Sequence, residues 1–106
     1  MAVTVKNLFA NLPTGAGREE FLTLLDSRGA KIERIVSRSQ STPPGLWYDQ
    51  DEEEWVVVVR GSAALEFANG ELVELIAGDY LTIPRHTKHR VARTGEETIW
   101  LAVHVK

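Results

Sequence analysis

Residues 78–89 read Gly78-Asp79-Tyr80-Leu81-Thr82-Ile83-Pro84-Arg85-His86-Thr87-Lys88-His89, and this stretch, read with its neighbours, decides the fold. Gly78-Asp79 completes a turn begun at Ala77, Tyr80 to Ile83 is too short for a helix and suits a brief strand, and Pro84 to Lys88 forms a loop. Downstream, His89 to Arg93 and Thr98 to Val105 read as further strands joined by Thr94-Gly95-Glu96-Glu97. Upstream, Glu71 to Ile76 follows an Asn69-Gly70 hairpin turn, Ala63 to Ala68 precedes it, and Arg60-Gly61-Ser62 separates that strand from the β-branched run Trp55 to Val59. Short strands punctuated by turn residues at such intervals predict a sandwich or barrel.

The first third of the chain continues the pattern less clearly. Ala30 to Ser39 alternates loosely, with Ile32 and Val36 on one face and Ile35 on the other, and Thr42-Pro43-Pro44-Gly45 ends it. Residues Gly17 to Arg28 read as a helix, because Phe21, Leu22, Leu24 and Leu25 make one apolar face, Glu19 and Glu20 suit a helix start, and Gly29 suits its end. The expected organisation is one domain over 1–106: an N-terminal segment and short helix (1–29) packed on a β-barrel (30–106). Parallel pairing is not expected, since one helix cannot supply the crossovers.

Composition narrows the function. The 106 residues carry no cysteine, which removes disulfides, thiolate nucleophiles and cysteine-ligated zinc and leaves His, Asp, Glu, Gln and water as metal ligands. A domain of this length buries roughly 65% of its unfolded surface, enough for stability without staples. The formal net charge is −3 and no basic block occurs, so nucleic acid is not an expected partner. Met1 to Asn11 lacks the apolar stretch of a signal peptide or anchor, so a cytoplasmic protein without membrane association is expected.

Two segments carry a family resemblance. Glu54, followed after six residues by Gly61, resembles the second half of the first cupin motif, G-x5-H-x-H-x3,4-E-x6-G. Residues 78–89 resemble the second motif, G-x5-P-x-G-x2-H-x3-N, with Gly78, Pro84 and His89 at matching positions, His86 replacing the inner Gly and Arg93 the final Asn. The resemblance implies an all-β antiparallel double-stranded β-helix, the cupin or jelly-roll barrel. It departs from the family at the H-x-H pair: the longer spacing from Glu54 places Trp47 and Asp49 there, the shorter one Tyr48 and Gln50.

The resemblance puts His89 and Glu54 at metal-ligand positions, with Asp49 and Gln50 competing for a third. Imidazole does not choose among zinc, iron, nickel and manganese; an Asp oxygen suits a hard or intermediate ion, and a neutral Gln carbonyl lowers the affinity of the site. Alternation along the strand puts Glu54 on the face of Val56 and Val58, where a buried carboxylate needs a cation or hydrogen bonds; the alternative is one more solvated member of the acidic run 49–54. For His89 the alternative to ligation is a hydrogen-bonded histidine in a metal-free pocket. Tyr48 and His86 are candidate catalytic residues, against simple packing for the first and solvent exposure for the second. His104 shares a face with Trp100 and Ala102 and is either structural or barrel-lining. Arg34, Arg38, Arg60 and Arg90 lie on or beside strands, where an inward-facing one could clamp a substrate carboxylate.

Two apolar runs, Trp55 to Val59 and Ile99 to Val103, need cover on both faces, so a symmetric homodimer is expected. The expected function is a small cupin holding a divalent metal ion and a small organic molecule in its barrel. The alternative is a metal-free binding or sensing module. The superfamily spans dioxygenases, isomerases, decarboxylases, lyases and non-enzymatic binders, and fold does not select among them.

Overall fold

The computed structural model describes residues 3–14 and 19–106. Eight strands follow in order: β1 (Glu20–Ser27), β2 (Ala30–Ser37), β3 (Glu53–Arg60), β4 (Ser62–Phe67), β5 (Leu72–Ile76), β6 (Tyr80–Ile83), β7 (His89–Thr94) and β8 (Thr98–Val105). They form two sheets, one of order β1-β2-β8-β3-β6 and one of order β5-β4-β7, and every pairing is antiparallel. From Ala30 onward the elements fall where the alternation and turn residues put them.

The segment read as a helix is β1 instead; Gly17 and Arg18, its expected first turn, lie outside the described residues. The reason is the next turn. Arg28 and Gly29 both take positive φ, 50° and 82°, which makes a two-residue hairpin turn of the primed kind that sends Glu20–Ser27 back along β2. Gly29 is left-handed, as a helix end would require, but the same property serves a hairpin. A short leucine-rich segment has little helical stability without a packing partner, whereas the free edge of β2 offers a full ladder of backbone hydrogen bonds. Phe21, Leu22, Leu24 and Leu25 consequently line an exposed edge strand, each between 43% and 55% accessible.

Alternation sorts the remaining side chains. In β3, Glu54, Val56 and Val58 point inward and are buried, while Trp55, Val57 and Val59 are half-buried on the outer face. The core between the sheets joins Val56 and Val58 to Ala63, Leu65, Leu75, Ile83 and Trp100. Gly61 links β3 to β4 at φ 86°, and a β-carbon there would sit 2.2 Å from the Glu97 carbonyl oxygen. Only glycine fits that approach.

The N-terminal segment crosses the outer side of β2. Buried Arg34 fastens it by donating to the Leu8 and Ala10 carbonyls at 3.0 and 2.8 Å, and it pairs with Glu20 at 2.6 Å. Arg38 donates to the Pro13 carbonyl and pairs with Glu97. Arg60 also pairs with Glu97 and lies over the Phe9 ring, and Arg90 binds Glu66 and the Thr42 carbonyl. All four strand arginines thus brace the scaffold, and none lines the cavity described next. Among the described residues no helix is long and apolar enough to cross a membrane.

Candidate functional site

A cavity of about 130 Å³ opens between the two sheets. Its polar lining comprises Glu19, Glu33, Tyr48, Gln50, Glu54, His89 and His104, set on an apolar body that includes Val56, Leu65, Ile83 and Trp100. The inward faces of β2, β3, β7 and β8 supply most of these groups, so the two-residue period of each strand decides which residues meet.

The ambiguity over the inner pair resolves in favour of the shorter spacing. Tyr48 and Gln50 both line the cavity, and Asp49, between them, points away. Asp49 Oδ1 instead lies 3.0 Å from His86 Nδ1, and both side chains are largely exposed, so Asp49 and His86 form a surface pair outside the cavity. His86 acts on the site only through its backbone. Its N–H donates to the Gln50 carbonyl at 2.7 Å, and with the Arg85 side chain on the Asp51 carbonyl this ties the 84–88 loop to the segment carrying Gln50.

His89 is 5% exposed and held on three sides. Its backbone exchanges two hydrogen bonds with Tyr48, at 2.7 and 3.1 Å, and its ring stacks on Tyr48 and leans against Phe67. Nδ1 lies 2.8 Å from the Thr87 carbonyl, an acceptor, so Nδ1 carries the proton and Nε2 presents a lone pair. Nε2 faces Glu54 Oε1 at 3.9 Å, too far for a hydrogen bond. Burial pushes the Glu54 carboxyl above its ordinary range; His104 and His89 pull it back in part, and Glu33 and Glu52 add to the rise.

Across the cavity, His104 Nε2 lies 3.0 Å from Glu33 Oε1, and Lys31 reaches the other Glu33 oxygen at 3.7 Å. Among the described residues, two buried side-chain atoms of the lining have no hydrogen-bond partner, Gln50 Oε1 and His104 Nδ1. An isolated buried polar atom of this kind is costly unless something else occupies the space beside it.

Glu33 and Glu19 were not expected at the site. Glu33 shares the inward face of β2 with Ile35, so strict alternation could have found it. Glu19 had no such signal, because it precedes a strand whose sequence reads as helical. His104 does line the barrel, beside Trp100 as the period-two reading of β8 placed it.

The metal-ligand set tests whether a divalent ion fits. Among the described residues no three His, Asp or Glu side chains are gathered closely enough to hold one by themselves. Gln50 completes a set of three: its unpartnered Oε1, the Glu54 carboxylate and the His89 Nε2 lone pair are all electron-pair donors, and the proton on His89 Nδ1 is held by a backbone carbonyl, as metal-bound imidazoles require. That chemistry fits a divalent cation held more weakly than in a three-histidine site.

Comparison with known proteins agrees with the fold and leaves the chemistry open. Residues 39–104 match the family described as Cupin domain. The chain is similar to the solved structure of a Ralstonia eutropha JMP134 protein provisionally designated a mannose-6-phosphate isomerase, at 48% identity over 98% of this chain and 99% of that one, with a TM-score of 0.92. It is also similar to an RmlC-like cupin of double-stranded β-helix fold from Methanocaldococcus jannaschii (15% identity, 99% and 92% covered, TM-score 0.74). A cupin superfamily protein from Desulfitobacterium hafniense DCB-2 is comparable (15% identity, 89% and 83% covered, TM-score 0.76). At such identities the last two speak for the fold alone. No curated protein matches the chain. Two sheets enclosing a polar-centred cavity, Glu54 and Gly61 at motif spacing, and a family match over residues 39–104 together make this chain a member of the cupin domain family.

Proposed function

We propose that this cupin binds a small organic molecule in its barrel, beside a divalent metal ion held by Gln50, Glu54 and His89. The observation that supports the reading is that three residues bearing electron-pair donors, Glu54, His89 and Gln50 with its unpartnered Oε1, line one cavity. A cation there offsets the desolvation of Glu54, favours its ionised form and satisfies the amide oxygen. When bound, such an ion supplies Lewis acidity toward a carbonyl or hydroxyl oxygen. The chain's own residues then orient the ligand: Tyr48 offers a phenol at the mouth, and Trp100 and Leu65 pack its apolar part.

Specific observations also favour the metal-free alternative: among the described residues no three His, Asp or Glu side chains gather, and Glu54 and His89 stand 3.9 Å apart. In that reading Glu54, its carboxyl pushed up from the ordinary carboxylate range by burial, is a proton donor to the ligand. Titration of chelator-treated, tag-free protein with Mn²⁺, Ni²⁺ and Zn²⁺ by calorimetry separates the two. Gln50→His should tighten metal binding by about tenfold or more, since imidazole is the stronger ligand. Asp49→Ala should leave it unchanged. Equal sensitivity of binding to Asp49 and Gln50, or no binding at all, contradicts the metal site.

The assembly proposed with this site is a homodimer. Phe21, Leu22, Leu24 and Leu25 leave an apolar edge strand open, and the outer face of β3 is half-covered. An edge of this kind invites a second strand. The designation of the Ralstonia protein would add aldose–ketose isomerisation of a sugar phosphate to the candidate chemistries; the charge of the cavity bears on that directly.

A further inference from the structure

Glu19 stands where the barrel cavity meets a second, shallower hollow, and together with Tyr48 it lines both. The outer hollow adds Ser41, Thr42, Pro43, Leu46 and Trp47. Glu19 is not a loose surface carboxylate. Its Oε2 accepts a hydrogen bond of 2.6 Å from Ser37, which is fully buried, and Ser37 Oγ in turn accepts the Trp100 indole N–H at 3.3 Å. The core therefore fixes where this carboxylate sits.

Among the described residues, neither hollow is lined by a Lys or an Arg. Three carboxylates line the barrel cavity, and two of them have other work: Glu33 is matched by His104 and Lys31, and Glu54 belongs to the proposed metal set. The strand arginines that might have offered countercharge to an anion are committed to Glu20, Glu66 and Glu97. The lining left for a ligand is apolar and includes the rings of Tyr48, Trp47 and Phe21, and aromatic rings attract cations. His104, more than nine-tenths buried, also lines the barrel cavity, and its Nδ1 has no hydrogen-bond partner among the described residues.

We infer that the ligand is a small amine whose ammonium group is recognised by Glu19 where the two hollows share it, and that the metal-free protein rejects phosphorylated or carboxylated compounds. This rests on the reading of the barrel as a small-molecule site but not on the metal. In metal-free protein a phosphate would meet the Glu19 carboxylate with no guanidinium or ammonium among the described lining residues to receive it, and its desolvation would go uncompensated.

The test uses four compounds that share a ring and differ in head group: benzylamine, benzyl alcohol, benzoate and benzyl phosphate. Each is titrated into the chelator-treated full chain, and binding is followed through the Trp100 indole N–H resonance. Benzylamine should bind at least about tenfold more tightly than benzoate or benzyl phosphate, the scale of one charge-assisted hydrogen bond. Glu19→Gln should remove about that factor for benzylamine, leave benzyl alcohol unchanged and leave metal content unchanged. Equal or tighter binding of either anion by the wild-type chain overturns the inference even if the variant fails to fold, and so does a folded Glu19→Gln variant that keeps the amine preference. If none of the four moves the Trp100 signal, the small-molecule reading falls with it; if the anions alone bind, only the amine assignment falls.

Discussion

Replacing Gly61 by alanine tests how the cavity-bearing sheets are joined. Gly61 and Gly70 take nearly the same left-handed conformation, φ 86° and 93°, so both Gly→Ala changes incur the same backbone strain, about 1–2 kcal/mol. They differ in what the new methyl meets. At Gly70 nothing lies within 4 Å, whereas at Gly61 the methyl would be 2.2 Å from the Glu97 carbonyl oxygen and 3.0 Å from Thr98 Oγ1. Relieving that clash displaces the β7–β8 turn. Three hydrogen bonds hold that turn: Thr98 Oγ1 to the Ser62 carbonyl (2.8 Å), Gly95 N–H to the same carbonyl (3.0 Å) and Gly95 N–H to Thr98 Oγ1 (3.1 Å). Losing two of them adds about 1–3 kcal/mol. The expected loss in urea unfolding is therefore about 1–2 kcal/mol for Gly70→Ala and about 2–5 kcal/mol for Gly61→Ala, with unchanged m values; for a domain of this size each kcal/mol moves Tm by roughly 4–8 °C. Equal losses within about 0.5 kcal/mol, a typical error of such comparisons, would refute the steric argument.

Other expectations follow from the same packing. In metal-free protein, Glu54 is held above its ordinary value of 4.5, so the stability present below that pH is lost as pH rises through the raised native value; Glu54→Gln should flatten this decline in urea midpoints measured from pH 4 to 8. A wild type whose stability rises over that range on account of Glu54 would contradict the assignment. Ser37→Ala leaves the buried Trp100 indole N–H without its partner and should cost about 1–3 kcal/mol, read by thermal and urea unfolding. Leu24→Glu on the exposed edge strand should convert a wild-type dimer to monomer in light scattering at micromolar concentration; a monomeric wild type would remove the dimer from the account.

Where each side chain meets the site was legible wherever strand period alone decides it. Glu54 and His89 follow from alternation and motif spacing, and alternation puts Trp100 and His104 on one face without deciding whether His104 is structural or barrel-lining; the structure places all four in the cavity lining. Gln50 against Asp49 was not decidable, because one residue of register exchanges the faces of both and no sequence signal fixes the register of an irregular segment. The Phe21–Leu25 apolar spacing is compatible with a helix or with an edge strand exposed on both faces; only the Arg28-Gly29 turn and the free edge of β2 decide between them, and pairing of that kind is tertiary information. With β1 read as a helix, Glu19 could not be connected to Ser37 and Trp100, residues brought to it from distant parts of the chain.

The central claim concerns the ion held at Gln50, Glu54 and His89. Elemental analysis of tag-free protein, purified without chelator from metal-supplemented medium, tests it most directly when wild type and His89→Ala are measured side by side. The account predicts a divalent transition metal bound in near-stoichiometric amount by the wild type and lost in the variant; a metal-free wild type, or metal retained without His89, would contradict it.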